Sequence, residues 1–340
     1  MRVRVRSITT AAVAAVVSAL IVSSGTPANA ARDDDAALSA ISVSRIAGTD
    51  RYDGAVQIAQ ATRTRADVVY LASGADFPDA LSAGPAVVRE RGALLLVPAS
   101  GLTAGIAIEL ASLAPKRVVV VGGELSVPES ILGQVRVIFG GGFPVTRISG
   151  ADRYEVSRRL AASVFSTGSA SVIAATGAKF PDALSAGPVA TRYNAPLVLV
   201  NGLAPTADAD TLTLFRNLRT SAIGIAGGPF SVTPGIESAL GSLGSVHRYS
   251  GVDRYEVSAV LNEGDLWDFD TVYFATGANF PDALVGGVLA GTMGHPLYVV
   301  PGDCVPGRVL DRLIAARTHN VVLLGGLASL SSAVEGLTRC

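Results

Sequence analysis

Short apolar runs and longer amphipathic stretches alternate along the chain from residue 42 onward. The first cycle reads "SRIAG", "DRYDGAVQIAQAT", "ADVVYLASG" and "FPDALSAGPAVVRE". The short runs carry β-branched or aliphatic residues without polar alternation, which is typical of strands whose two faces are both covered by helices. The longer stretches have the spacing of amphipathic helices. This order predicts an α/β fold with parallel, doubly wound sheets.

Three motifs recur three times in the same order, and this repetition decides the organisation of the chain. They are RIxGxDRY (with Tyr for Ile in the third copy), GAxFPDAL, and a pair of glycines that ends an aliphatic run. The first motif begins at Arg45, Arg147 and Arg248, the second begins at Gly74, Gly177 and Gly277, and the third ends at Gly123, Gly228 and Gly326. The spacing of the first motif is 102 and then 101 residues, so we predict three modules of similar length.

The module boundaries are predicted at 42–142, 143–245 and 246–340. No Ser/Gly-rich or charged linker separates them, and the "FGGGFPV" segment at 139–145 is only a turn. A sheet of about four strands has exposed edges and a modest core, so such modules gain by packing on one another. We expect one compact body with approximate threefold internal symmetry.

The first thirty residues have a different character. A basic start, "MRVRVR", precedes the apolar stretch "AAVAAVVSALIV" and the small-residue site "ANA". This pattern predicts a secretory signal peptide over 1–30, followed by a short acidic lead over 31–41, and hence an exported protein. No later segment reaches the roughly 18 apolar residues that a membrane-spanning helix needs.

Charge and cysteine content narrow the function classes. Removing 1–30 leaves 24 basic and 28 acidic residues, a formal charge of −4, so we expect no general nucleic-acid binding. Cys304 and Cys340 are the only cysteines, and an oxidising compartment would permit a disulfide between them. An unpaired Cys340 could instead link two molecules. The three histidines are scattered without a metal-binding pattern, so we expect no metal and no cofactor.

The repeated motifs all follow predicted strands. In open parallel sheets ligands bind at the carboxyl ends of strands, so the three motifs of each module should meet at one edge and could form a binding site. A second explanation is local. The aspartate of each DRY stands at a helix start with an acidic residue three positions later, as in a capping box, and Pro78 suits a first helical position.

Helix capping does not explain the arginine of each DRY motif. A cation in the first turn opposes the helix dipole at a cost of roughly 0.3–1 kcal/mol when exposed, so we expect a partner for it. The aspartate of FPDAL is the simplest one, within a module or across the pseudo-threefold contact. The residues at issue are Arg51, Arg153 and Arg254 with Asp79, Asp182 and Asp282.

Other positions in the motifs give weaker signals. The tyrosine of DRY and the phenylalanine of FPDAL read most simply as core or contact aromatics. The variable position before that phenylalanine is Asp76, Lys179 or Asn279. Because its charge differs in every copy, we expect it to be solvated and to carry no shared chemistry.

These motifs, three times in tandem behind a predicted signal peptide, resemble the cell wall binding repeat 2 family of Gram-positive exported proteins. The resemblance implies Rossmann-like modules packed as a pseudo-trimer, and noncovalent attachment to anionic wall polymers such as teichoic-acid-like or secondary polysaccharides. It also implies a polymer-binding role for a proline-led apolar motif, which matches at Pro196 and Pro296. The first module departs from that motif, since it has Ala93 in place of the proline.

Three functions remain open on the sequence. A wall anchor would use the three sites together, because several weak sites on one rigid body bind a repeating polymer tightly. An exported hydrolase or a nucleotide- or sugar-binding enzyme is the main alternative, although GxGxxG, GxxxxGK[ST] and GxSxG are absent from strand-to-helix turns. The third is an adhesin or scaffold with a protein partner. We assign no catalytic residue, because the repeated acids have no nucleophile or base beside them.

Overall fold

A computed structural model describes residues 34–76, 79–264 and 267–340 of this protein. The predicted signal peptide lies outside these residues. The strands are β1 Ser42–Ile46, β2 Val68–Ser73, β3 Ala93–Val97, β4 Arg117–Val121, β5 Val145–Ile148, β6 Ser171–Thr176, β7 Leu197–Val200, β8 Ala222–Ala226, β9 Ser245–Tyr249, β10 Thr271–Thr276, β11 Leu297–Val300 and β12 Asn320–Leu324.

A helix connects each of these strands to the next. They are α1 Arg51–Thr62, α2 Ala83–Arg89, α3 Ala104–Leu113, α4 Glu129–Phe139, α5 Arg153–Val164, α6 Pro181–Arg192, α7 Ala209–Asn217, α8 Pro234–Gly241, α9 Arg254–Leu261, α10 Pro281–Met293, α11 Gly307–Ala316 and α12 Ser332–Glu335. Residues 34–39 are also helical.

The strands form three sheets of four parallel strands each, which confirms the predicted α/β class. The sheet orders are β3-β2-β4-β5, β7-β6-β8-β9 and β1-β12-β10-β11. Every residue of β2 and of β3 is buried, as expected for strands covered on both faces. The aliphatic runs that lack polar alternation are therefore buried strands of the core.

Each sheet takes its last strand from the next repeat in the chain. β5 belongs by sequence to the second module but pairs with β4 of the first, and β9 pairs in the same way with β8. The third sheet is completed from the start of the chain, because β1 pairs with β12 from Ser42 opposite Asn320 to Ile46 opposite Leu324. The sheets are thus offset by one strand from the sequence modules 42–142, 143–245 and 246–340, and the three units form a closed ring.

Three helices meet at the centre of the ring. They are α2, α6 and α10, and each contacts the other two. Leu81, Leu184 and Leu284 line the space between them together with small residues, and only about 10 Å³ of cavity remains there. The Cβ that Gly287 lacks would lie 3.5 Å from Pro188, so the helices pack at close range. This packing gives the compact, approximately threefold body that the repeats predict.

The central helix starts differently in the first repeat. In the second and third repeats it begins at Pro181 and Pro281, which occupy the first helical positions. In the first repeat α2 begins only at Ala83, after a turn. The predicted helix over "FPDALSAGPAVVRE" is therefore shortened at its start.

A disulfide ties down the end of the chain. Cys304 and Cys340 are bonded, with their Cα atoms 5.0 Å apart. The amide of Val305 donates to the carbonyl of Thr338, and the amide of Cys340 donates back to the carbonyl of Val305. The last residues are therefore held against the loop that follows β11.

Removing β1 should weaken the third sheet selectively. A chain that starts at residue 47 lacks β1 and exposes one edge of β12, so we expect a lower thermal midpoint and faster amide exchange over Asn320–Leu324. A chain that starts at residue 42 is the matched control and should resemble the longer protein. Equal protection of β12 in both truncations would show that ring closure contributes nothing.

Candidate functional site at the junctions between repeats

The carboxyl ends of the parallel strands bring the three motifs to one rim of the molecule. Because the RIxG strand sits in the preceding sheet, the DRY motif of one repeat lies beside the FPDAL and glycine-pair motifs of the repeat before it. The cleft between the second and third repeats has a volume of about 760 Å³, with Asp182, Gly228 and Arg254 in its lining. The cleft between the third and first repeats is smaller, about 230 Å³, and is lined by equivalent residues.

The aspartate of each DRY motif caps the helix that follows. Asp50 accepts hydrogen bonds from the amides of Tyr52 and Asp53, and Asp253 does the same with Tyr255 and Glu256. Asp152 accepts from the amide of Glu155. The acidic residue at the third helical position accepts from the amide before the cap, at 2.7–2.8 Å, and not from the cap residue of a standard capping box.

The arginine of each DRY motif is half-buried and bonds to backbone. Arg51, Arg153 and Arg254 donate to the carbonyls of Gly74, Gly177 and Gly277 in their own repeats, at 2.7, 2.8 and 2.6 Å. Arg51 and Arg254 also lie over the rings of Phe280 and Phe180 from the preceding repeat, 5.7 and 5.9 Å from the ring centroids. A carbonyl and an aromatic face thus offset the cation at the helix start.

The aspartate of FPDAL lies across the junction from the arginine of the next repeat. Burial raises the pKa of Asp79, Asp182 and Asp282, while a serine hydrogen bond and the neighbouring guanidinium lower it in part. The guanidinium in question belongs to Arg153, Arg254 and Arg51, respectively. Of the two arrangements that the sequence left open, this interaction follows the one between repeats. Each arginine also donates directly to a glycine carbonyl of its own repeat.

The first glycine of each pair allows this aspartate to approach the backbone. Gly122, Gly227 and Gly325 have φ of +111°, +109° and +110°, a conformation that favours glycine. A Cβ on Gly227 would lie 2.5 Å from Oδ2 of Asp182. The serine four residues after that glycine donates to the same carboxylate, for example Ser126 to Asp79 at 3.0 Å. The glycine pair and FPDAL are therefore parts of one packed unit.

Two of the candidate residues lie away from these clefts. Pro196 and Pro296 are buried and directly precede β7 and β11. Their carbonyls accept from the amides of Ile173 and Tyr273 inside the sheets. They are not part of the site because they lie at the amino ends of strands, whereas the three motifs lie at the carboxyl ends.

The sequence interpretation overlooked the first arginine of RIxGxDRY. Arg45, Arg147 and Arg248 each donate to the carbonyl of the first glycine of the preceding pair, at 2.7, 3.0 and 2.8 Å. Each also pairs with a glutamate, namely Glu335, Glu129 and Glu237. These arginines hold consecutive repeats together, and their recurrence in all three motifs was the available signal.

The remaining motif positions have clear structural roles. Asp76, Lys179 and Asn279 are exposed, as expected for a solvated variable position. The tyrosine rings of DRY pack on the core and leave no room for a Cβ at Gly74, Gly177 or Gly277. The phenylalanine of FPDAL is a contact aromatic between repeats, since the rings of Phe180 and Phe280 lie 6.2 Å apart. Phe77 and Pro78 lie outside the described residues.

The clefts are suited to binding a polar ligand. Each offers a guanidinium, carboxylates and backbone amides around an open volume. Within the described ranges, no group of three or more His, Cys, Asp or Glu side chains is placed to hold a metal ion. The same part of the chain has no helix with the length and apolar character needed to cross a membrane.

This geometry defines a class of α/β repeat protein, in which the candidate sites lie at the junctions between fused units. The particular family is Cell wall binding domain 2 (CWB2), whose profile matches residues 45–132, 147–237 and 248–335. The chain belongs to that family. The matched ranges follow the sequence repeats, each of which starts at the strand donated to the preceding sheet.

Two relatives from Bacillus subtilis (strain 168) share most of this chain. The N-acetylmuramoyl-L-alanine amidase LytC is 26% identical over 298 residues, which cover 88% of this chain and 58% of LytC. The amidase enhancer is 27% identical over 291 residues, which cover 86% of this chain and 39% of the enhancer. The chain thus spans about half the length of these relatives or less.

Two solved structures have the same fold. Cwp6 from Clostridium difficile matches with a TM-score of 0.77 and 22% identity, over 88% of this chain and 48% of that one. Cwp8 from the same organism matches with a TM-score of 0.78 and 21% identity, over 87% and 51%. At this identity the likeness shows the arrangement of strands and helices alone.

The close packing of glycine on aspartate can be tested by substitution. Gly227→Ala places a methyl group against Asp182 at a φ of +109°, so we expect a loss of stability on the order of 1–3 kcal/mol in denaturant unfolding. Gly228→Ala is the control, because its Cβ would have no atom closer than 3.9 Å. Equal effects of the two changes would contradict the packing argument.

The buried aspartates should give a defined pH dependence. Their folded pKa is raised, so the native state binds protons before the unfolded state does as the pH falls through that pKa toward 3.8. The contribution of these groups to the free energy of unfolding should therefore increase as the pH falls from neutral to about pH 4. As the pH falls through this range, the unsubstituted protein should gain stability relative to a triple Asp79→Asn, Asp182→Asn, Asp282→Asn variant. A difference that stays constant or falls would be inconsistent with raised pKa values.

Proposed function

We propose that this protein attaches noncovalently to the cell wall by holding an anionic wall polymer in the clefts between its repeats. The polymer would be teichoic-acid-like or a secondary wall polysaccharide. The chain is a binding module in this proposal, and it reaches the wall after export on the signal peptide predicted over 1–30. Membership of the CWB2 family supports the cell wall as its location.

The observation that carries the proposal is the threefold repetition of one arginine–aspartate frame on a single rim. A guanidinium such as that of Arg254 is half-buried and bonded through one nitrogen to a glycine carbonyl, while its surroundings open into a cleft. The remaining N–H groups can bind a carboxylate or phosphate. Repetition of this arginine at the same motif position on one body favours an extended, repetitive ligand over a small metabolite.

The two Bacillus relatives support binding over catalysis. One is described as an amidase and the other as an amidase enhancer, and both share nearly the whole of this chain with it. Proteins with two different described activities need not owe either activity to the segment that each shares with this chain. A shared attachment function accounts for that segment more simply.

The charge of the chain fits local recognition of the polymer. After the predicted cleavage the formal charge is −4, so the protein as a whole does not attract polyanions. Attraction has to come from guanidinium groups at the rim, over distances within a Debye length of about 8 Å at physiological salt. Binding should therefore depend on the identity of a few arginines.

Sedimentation with purified walls tests the proposal. Protein comprising residues 31–340 should sediment with intact walls and remain in solution with walls stripped of anionic polymer. Arg51→Gln, Arg153→Gln and Arg254→Gln together should reduce retention about tenfold or more, because each removes a charged donor from a cleft.

The control variant carries the same change of charge at the opposite rim. Arg65→Gln, Arg91→Gln and Arg219→Gln alter exposed residues in loops that lead into strands, and retention should not change. Circular dichroism checks that both variants fold. Equal retention on intact and stripped walls would refute polymer binding whether or not the variants fold.

A further inference from the structure

The junctions between repeats differ around their shared frame. The cleft between the second and third repeats has about 760 Å³ of volume, against about 230 Å³ between the third and first. All the residues that distinguish it come from loops that vary among the repeats. The differences concern two properties, exposed apolar surface and charge.

Two apolar side chains at this cleft are almost fully exposed. Phe230, in the loop after the glycine pair, is 96% exposed, and Val252, just before the DRY helix, is 94% exposed. Both line the cleft. At the other junctions the corresponding residues are Leu125 with Ala151 and Ala328 with Thr49. This cleft is therefore the one whose junction carries an aromatic ring open to solvent at that position.

Charge distinguishes the same cleft. Lys179 is exposed and lines it, whereas the equivalent position is Asp76 in the first repeat and Asn279 in the third. The charge at this position acts on the FPDAL aspartate, because Lys179 lowers the pKa of Asp182 while Asp76 raises the pKa of Asp79. The junction between the first and second repeats therefore carries an acidic residue where this cleft carries a basic one.

The acidic groups of this cleft are engaged by the protein. Glu256 accepts from the amide of Val252 and pairs with Arg308. Asp253 caps α9, and Asp182 is buried and bonded to Ser231. An incoming anion would therefore meet chiefly Lys179 and the outer N–H groups of Arg254.

We propose that this cleft is the principal subsite of the protein and binds an acidic pyranose residue of the polymer. The apolar face of the sugar ring lies on Phe230 and Val252, and its carboxylate or phosphate lies between Lys179 and Arg254. Aromatic side chains suit ligands with one apolar face and one polar edge, and a few placed polar groups then fix orientation. This inference rests on the proposed function and assigns the clefts unequal shares of it.

Small probes test the ligand chemistry directly. Glucuronic acid and glucose 6-phosphate should each perturb the NMR signals of Phe230 and Val252 in the 31–340 protein, and glucose should do so more weakly. The acid that binds better identifies the source of the negative charge. Equal perturbation by glucose and both acids, or no perturbation by any of them, would overturn the assignment.

Matched substitutions test the inequality of the clefts on intact walls. Phe230→Ala and Lys179→Asp should each weaken retention about tenfold, whereas Leu125→Ala and Asn279→Asp should change it less than about twofold. All four residues are exposed, so folding should be preserved. Equal losses in the two sets would refute a principal subsite.

This outcome is separable from that of the proposed function. If the arginine-substituted protein loses the wall while the two sets of substitutions behave alike, polymer binding stands and only the assignment of the subsite fails. If retention never depends on the polymer, the proposed function itself fails.

Discussion

The strand that each repeat gives to the preceding sheet is the constraint on which the rest of the structure depends. Without the donated strand each sheet would have only three strands and would leave one edge of β4, β8 or β12 unpaired, and here β5, β9 and β1 pair with those edges. The donated strand carries the DRY motif with it to the rim of the neighbouring unit. The junction clefts exist because of this displacement.

The same residues that join the repeats also shape the clefts. Arg147 and Arg153, six residues apart, bind the carbonyls of Gly122 and Gly177 on different sheets. Arg147 also forms an ion pair with Glu129, whereas the second arginine of the motif is the one that the proposed function assigns to the polymer. In that proposal, structural and recognition roles are divided within one motif. Tripling the motif multiplies the recognition role without requiring any new chemistry.

The sequence predicted the fold well because periodicity and repetition are local signals. Fully apolar runs such as that of β3 indicated buried strands, and Asp50, Asp152 and Asp253 indicated helix starts. Strand exchange was not visible, because residues 42–46 carry no mark that distinguishes pairing within a repeat from pairing between repeats. The sequence suggested the aspartate of FPDAL as a partner of the arginine, but it could not indicate the glycine carbonyl, because a backbone acceptor leaves no signal in the sequence.

The candidate site was predicted in part for the same reason. Six of the eight proposed ligand-binding residues gather at the junctions, since they follow strands, while Pro196 and Pro296 lie buried at the other edge. The variable position was judged to have no shared chemistry, and the structure agrees that it is exposed. Because this position differs in charge among the repeats, Lys179 can give one junction a property that Asp76 does not give another.

Closure by β1 also limits how such a molecule can grow. In an open solenoid every added repeat finds a free end to stack on, so the array can have any length. Here the end of the third sheet is already occupied by the beginning of the first module, and a fourth copy would have to displace β1 to enter. Duplication of one unit within a ring of this kind is therefore penalised by its geometry. New specificity has to arise by altering loops on the existing three.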